Sequence, residues 1–344
     1  MTDQDAEQHE ELITSPAPKT VRKTWVVLGW IIVLFLLWWS LRDIPLNDIL
    51  QTLRQLHAWQ IGVLAGLNIL IIFLISSRWW LILHSTGKPV PYLRLAAYRL
   101  ASFGVSYFTP GPQIGGEPFQ VLLLQRQHQV PTGTAISSVF LDKLIEMLSN
   151  FTFLMVGLTV IALNDMGNIG VKPWMWALAP FILLLPAAHL IALWRGKTPA
   201  TWLFSHLFHL WNSSPRIQKT FTVIKQTEEY IGQLCKDHPR TILNTISISF
   251  IVWVGLVFEY SLVLHFLGVD LNLAQIILAL TLARLAFLIP LPGGLGALES
   301  SQVLAMQIFG LSPAIGISIS LIIRARDIIL GGAGLWLANW AARR

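Results

Sequence analysis

Charge and cysteine are what this sequence has least of. Only 12% of its 344 residues are Asp, Glu, Lys or Arg, while 54% are hydrophobic and the mean hydropathy is +0.61. A soluble domain carries about 25% charged residues, so a chain this poor in charge cannot hydrate its own surface and its bulk belongs in lipid. The single cysteine, Cys235, excludes an intrachain disulfide, a CxxC redox pair and a thiolate zinc site. No HExxH helix, GxSxG nucleophile elbow or GxxxxGK phosphate loop occurs. Most of the nine histidines fall between apolar runs, and His189 and His265 have no second ligand at helical spacing, so neither a metal nor a cofactor is expected. A formal charge of +6 would suit nucleic acid, but the cations lie between apolar segments, where membrane orientation explains them, and no nucleic-acid partner is expected.

What is present is a series of long apolar runs. Spanning about 30 Å of hydrocarbon takes about 20 residues. Runs of that length predict helices at about 25–41, 60–83, 134–163, 173–194, 241–267 and 313–340. Residues 1–24, with five acids and Pro16 and Pro18, read as a polar cytoplasmic tail, and 25–340 as one transmembrane domain. The first run follows Lys19, Arg22 and Lys23 with no small-residue cleavage pattern after it, which predicts a retained helix. Two further apolar regions, about 95–124 and 274–309, are broken by proline and glycine. The first break holds Pro110, Pro112, Gly115 and Gly116; the second holds Pro290, Pro292, Gly293, Gly294 and Gly296. A helix must stop there, and bare backbone at membrane depth is tolerated only inside protein or a wet cavity. Each region therefore reads as a re-entrant helical hairpin.

The cations test this topology. With both termini cytoplasmic, inside segments hold Lys19, Arg22, Lys23, Lys88, Arg94, Arg126, Arg195, Lys197, Arg216, Lys219, Lys225, Lys236, Arg240, Arg343 and Arg344. Outside segments hold Arg42, Arg54 and Lys172. That bias places the chain in the cytoplasmic membrane in this orientation. The stretch 195–240 mixes Trp202, Leu203, Leu207, Leu210 and Trp211 with basic residues, the pattern of an amphipathic insertion on the cytoplasmic membrane face or of a docking surface.

The two broken regions also align with each other. Both run P-x-P, glycines, then E-x-x-Q-V-L: Pro110 to Leu122, with Glu117 and Gln120, and Pro290 to Leu304, with Glu299 and Gln302. Each follows an Arg-Leu-Ala triplet, at Arg99 and at Arg284. In the topology above the first hairpin enters from the cytoplasm and the second from outside. The fold class this predicts is an all-α polytopic membrane protein, six transmembrane helices plus two broken hairpins in an inverted repeat, which is an architecture of transporters.

Six cations fall inside the apolar regions, Arg78, Arg99, Lys143, Arg284, Arg324 and Arg326, with six acids, Glu117, Asp142, Glu146, Glu259, Glu299 and Asp327. At roughly 3 kcal/mol for each unpaired charge at a helix centre, twelve would cost about 36 kcal/mol, against a net stability of about 5–15 kcal/mol. They must be paired or hydrated. Spacing predicts i,i+3 pairs Lys143–Glu146 and Arg324–Asp327, with Lys143 relieving the repulsion between Asp142 and Glu146. Arg78, before Trp79-Trp80, reads as a side chain that snorkels to the interface and stays outside the site. Glu259 stands alone in its helix and needs a partner from another element or a proton. Glu117 and Glu299 sit in first turns, where the helix dipole favours a carboxylate, and are candidates for proton or cation coupling. Arg99, Arg284, Arg324 and Arg326 are the candidate ligands for an anionic headgroup.

The Gly-Gly-Glu segment after Pro110 and Pro112, the stretch Asp142-Lys143-Leu-Ile-Glu146 and the stretch from Pro290 to Glu299 resemble the flippase-like transmembrane family. That family forms the membrane region of lysylphosphatidylglycerol synthases and also occurs as stand-alone proteins. The resemblance covers about residues 25–340. It departs where the family commonly has an arginine, here Gln120, and where it often has Glu-Arg, here Asp142-Lys143. It implies translocation of a charged phospholipid or polyprenyl-linked lipid between leaflets. The soluble aminoacyl-transfer domain of the synthases is not expected, since the chain ends at Arg344 after its last helix, so a transporter is expected in preference to an enzyme. The partners expected are membrane lipids; a homo-oligomer is compatible with the sequence. Two other readings stay open from the residues alone, an intramembrane lipid-modifying enzyme and a non-catalytic membrane partner of one.

Overall fold

A computed structural model describes residues 56–108, 115–163, 173–207, 215–289 and 294–342. The expected tail, the first expected helix, and Pro110, Pro112, Pro290, Pro292 and Gly293 lie outside the described residues. Regular structure among the described residues is entirely helical: α1 (Ala58–Ser85), α2 (Tyr92–Phe108), α3 (Glu117–His128), α4 (Thr132–Leu163), α5 (Pro173–Trp194), α6 (Pro199–Leu207), α7 (Pro215–Asp237), α8 (Pro239–Phe266), α9 (Leu273–Leu288), α10 (Ala297–Ile308) and α11 (Pro313–Ala342). Helices α1, α4 and α8 are long and apolar enough to cross a membrane. Helix α11 is as long but carries Arg324, Arg326 and Asp327. Five of the helices start on a proline, whose fixed φ suits the first helical position and whose missing N–H would lack a partner there anyway. Each broken region is a pair of shorter helices: α2 stops at Phe108 and α3 starts at Glu117, α9 stops at Leu288 and α10 starts at Ala297.

The repeat extends well beyond the broken regions. Helices α1 to α4 are 28, 17, 12 and 32 residues long, and α8 to α11 are 28, 16, 12 and 30. A shift of 181 residues carries Ala58 onto Pro239, Tyr92 onto Leu273 and Thr132 onto Pro313. The same shift carries Gly87 onto Gly268, which follow α1 and α8 with φ of +72° and +73°. Glycine occupies this left-handed conformation without a Cβ clash, so both halves stop their first helix by the same device. The Arg-Leu-Ala triplets are not equivalent by this register. Arg99 is the eighth residue of α2 and Arg284 the twelfth of α9, one turn further along.

The two halves interlace. Helix α1 packs on α8, α2 on α11, and α9 on α4, so the second helix of each half docks on the fourth of the other. The α2–α11 crossing brings backbone against backbone: a Cβ at Gly334 would sit 2.0 Å from the carbonyl oxygen of Leu100, and one at Gly104 would sit 2.5 Å from that of Gly331. Small residues permit such contact between helices in lipid. Gly334→Leu is expected to force the crossing apart at a cost of about 3 kcal/mol. Thermal unfolding of the purified protein in detergent checks this, and an unchanged midpoint would mean that the crossing is not held by this contact.

Between the halves, α7 docks on α4 and α5 through Ile231, Leu234 and the buried Cys235, packed with Leu144, Ile145, Leu190 and Leu193. Glu228 of α7 caps α6, accepting hydrogen bonds from the Ala200 and Thr201 amides at 2.9 and 2.8 Å, with His189 Nε2 3.3 Å away. Burial pushes the Glu228 carboxyl up, and the nearby His189 together with hydrogen bonds from Thr201 and Ala200 more than offsets it, holding the group below the usual carboxylate range. Helix α6 exposes Trp202, Leu203 and Leu207. Leu210 and Trp211 lie outside the described residues.

Candidate functional site

The charged residues of the apolar helices, Arg284 apart, converge in two clusters, one for each half. In the first, α1 contributes Arg78, α2 Arg99, α3 Glu117, and α4 Asp142, Lys143 and Glu146. Arg78 Nε meets Asp142 Oδ1 at 2.6 Å, and its terminal nitrogens reach Glu146 Oε2 and, on α8, Ser249 Oγ, each at 3.2 Å. Arg99 bonds the other oxygen of Asp142, and Glu146 Oε2 at 2.8 Å. Lys143 Nζ lies 3.0 Å from Glu146 Oε1 and 3.1 Å from Glu117 Oε1. Three cations face three carboxylates, and every one has a partner.

Two expectations are corrected here. Arg78 does not snorkel; it is 3% exposed and hydrogen-bonded to three residues on two helices. Its position explains why, since Arg78 stands seven residues before the end of α1, about 10 Å deep at 1.5 Å per residue. The cations between Asp142 and Glu146 are Arg78 and Arg99, whereas Lys143 serves Glu146 and Glu117.

The second cluster is built from α8, α10 and α11. Arg324 forks onto both oxygens of Glu299, one bond measuring 2.7 Å, and donates to the Gly294 carbonyl at 3.2 Å. Arg326 bonds Glu259 at 2.8 Å and Asp327 at 2.9 Å. Glu259 also accepts from Asn68 of α1 at 2.9 Å, so its partners do come from other elements. The expected Arg324–Asp327 pair does not form, because Arg324 turns to Glu299 and Asp327 is taken by its neighbour Arg326. Gln302 is fully buried and held by the Tyr260 hydroxyl and the Ala279 carbonyl.

The halves treat their first-turn carboxylates alike. Glu117 accepts from the Gly115 amide at 2.9 Å and faces Lys143; Glu299 accepts from the Gly296 amide at 2.9 Å and faces Arg324. Lys143 and Arg324 are related by the 181-residue shift, as are Glu146 and Asp327, and as are Arg78 and Glu259, where the sign is reversed. In both halves the carboxylate caps its own helix and also ties it to the fourth helix.

Two cavities adjoin these clusters. A small one, about 90 Å³, is lined by Arg99, Ser102, Ser106, Glu117, Gln120, Asp142, Lys143 and Glu146. A larger one, about 290 Å³, is walled by aliphatic side chains of α1, α8, α9 and α11, with Asn68, Arg78, Ser249, Glu259, Arg284, Arg326 and Asp327 among its polar groups. Arg99 and Glu146 line both, so the Arg99–Glu146 bridge stands between the two spaces. Glu299, Gln302 and Arg324 line neither. Among the described residues no group of three His, Cys, Asp or Glu is placed to hold a metal. The sequence reading missed Arg78, Asn68, Ser249 and Trp253; the depth of Arg78 within its helix was the one signal available.

The arrangement is apolar helices enclosing charge balanced side by side, which belongs inside a membrane protein. Residues 26–333 match the family described as the lysylphosphatidylglycerol synthase TM region. A UPF0104 membrane protein of Methanothermobacter thermautotrophicus is 23% identical over 290 residues, 81% of this chain and 84% of its own. A second, of Pyrococcus horikoshii, is 22% identical over 315 residues, 87% and 90% of the two chains. No solved structure gives a significant match. The chain is an integral membrane protein and belongs to the lysylphosphatidylglycerol synthase transmembrane-region family.

Proposed function

We propose that this protein moves an anionic lipid headgroup between the leaflets of the cytoplasmic membrane, working as a secondary transporter. The observation that carries the reading is the larger cavity, bordered by both halves of the repeat and lined by charged groups from each. At about 290 Å³ it suits a headgroup, leaving the tails in the bilayer. The broken helices fit the same reading. At 1.5 Å per residue α3 and α10, 12 residues each, reach about 18 Å, short of the roughly 30 Å hydrocarbon core. Each α2–α3 or α9–α10 pair thus works as a re-entrant hairpin, and with inverted insertion the two can open one site alternately to either face. The family's named member region comes from proteins that make a charged phospholipid, which supports a lipid cargo. With no nucleotide loop in the sequence, the drive is an ion gradient, the membrane potential or the lipid gradient itself.

Reconstitution tests it. Purified protein in liposomes with headgroup-labelled phospholipids and polyprenyl phosphates is expected to move one lipid class selectively, and Glu117→Gln with Glu299→Gln is expected to lose most of that movement. No movement across the panel under an imposed proton gradient would sink the transporter reading in favour of an enzyme or a partner protein.

A further inference from the structure

Five of the six cations in the apolar helices are bonded to carboxylates. Arg284 is the sixth. Among the described residues it has neither a hydrogen-bond nor an ion-pair partner, and its guanidinium lies over the Trp253 ring, 4.7 Å from the centroid. Trp253 is itself stacked on Phe153 at 3.8 Å and 9°. A cation–π contact holds the guanidinium in place but supplies no oxygen to its five N–H donors. An arginine without an anion inside a membrane domain is costly, and such residues mark substrate paths. Arg284 lines the larger cavity, so an anion entering that space can reach it.

The remaining charges restrict which anion fits. The first cluster is closed, three cations on three carboxylates, and Arg324 is closed on Glu299. Arg326 alone serves both Glu259 and Asp327, leaving one carboxylate charge in excess on the same cavity that Arg284 lines. That excess offsets Arg284 overall but bonds none of its N–H donors, so an incoming group with one negative charge pairs with Arg284 and leaves this half with one net negative charge. A second negative charge would face the surplus carboxylate, and like charges so placed repel.

We propose that Arg284 is the anion-binding residue of the larger cavity and that the group it takes is a phosphodiester, which carries one negative charge, in preference to a phosphomonoester, which can carry two. The proposal rests on the lipid-translocation reading and names the chemistry of its cargo. Guanidinium meets two oxygens of a phosphodiester side by side, a fit that lysine cannot reproduce. Arg99, Arg324 and Arg326, already committed to carboxylates, are positioning residues in this assignment.

The test is equilibrium binding to the purified full-length protein in detergent. Three labelled probes serve: dioctanoyl phosphatidylglycerol as lipid diester, dioctanoyl phosphatidic acid as lipid monoester, and glycerophosphoglycerol as soluble diester. Phosphatidylglycerol is expected to bind more tightly than phosphatidic acid, with Arg284→Gln weakening it by about tenfold or more, the worth of a charged hydrogen bond. Arg284→Lys falls between, and the exposed Lys225→Gln matches wild type. Unchanged affinity in a folded Arg284→Gln, tighter binding of the monoester, or no diester binding by the wild type would each overturn the assignment. Should Arg284→Gln fail to fold, Arg284→Lys decides, and wild-type affinity in it would overturn the assignment. The liposome experiment separates the two levels. Normal lipid movement by Arg284→Gln ends this assignment and leaves translocation standing; diester binding lost in Arg284→Gln, with no lipid moved by the wild type, keeps the anion site and ends translocation. Binding of the soluble diester as tightly as phosphatidylglycerol assigns the site to the headgroup alone.

Discussion

Replacing Arg78 with leucine is expected to destabilise the protein by about 3–5 kcal/mol, the cost of removing one partner from a buried ion pair. The size follows from what the guanidinium does. It joins Asp142 and Glu146 of α4 to Ser249 of α8, at 3% exposure, so its loss leaves Asp142 with one cation and removes the polar ties that Arg78 makes from α1 to both helices. Lysine cannot substitute, because one ammonium does not present the planar fork that reaches three acceptors at once. Adding Asp142→Asn is expected to recover part of the loss by removing the surplus negative charge, since two cations would otherwise face three carboxylates. Thermal unfolding in detergent measures all three variants. A single Arg78→Leu with the wild-type midpoint would return Arg78 to the role of an interfacial side chain.

The second large effect is a contrast between equivalent pairs. Arg324–Glu299 and Lys143–Glu117 occupy the same place in the two halves, but the first is 6% and 3% exposed and the second 27% and 23%. Arg324→Met is expected to cost about 3–5 kcal/mol, since Glu299 is left buried with only a glycine amide to hold it. Lys143→Met is expected to cost about 1 kcal/mol or less, since Glu117 borders a cavity where water can screen it. The double variant Arg324→Met with Glu299→Gln should cost less than the single Arg324→Met, because no charge is stranded. Equal losses at Arg324 and Lys143 would mean that burial does not set the difference.

The sequence carried the helices and not their partnerships. Apolar runs placed α1, α4, α5, α8 and α11 to within about two residues, because lipid demands uninterrupted hydrophobicity and proline marks several starts. The expectation of a repeat rested on the broken regions, while its clearest signature, the equal helix lengths and the glycines at 87 and 268, needed element ends that pattern alone leaves loose. Pairing was legible only where neighbours in sequence are neighbours in space, as with Lys143 and Glu146. The bonds from Arg78 to Asp142, Arg324 to Glu299 and Arg326 to Glu259 join different helices, and one-dimensional spacing cannot report them. The Arg-Leu-Ala triplets show the converse: they match as letters, yet stand one turn apart in the helices that hold them.

The even division of charge has an electrical consequence. Each half carries three cations and three carboxylates within its apolar helices, so a rocking of one half against the other would carry almost no net protein charge through the membrane field. A voltage sensor is the opposite case, where each uncompensated charge contributes about 2.3 kcal/mol per 100 mV. On the transporter reading proposed above, the empty protein should return across its cycle at a rate indifferent to membrane potential, and any voltage dependence of turnover should report the charge of what is carried.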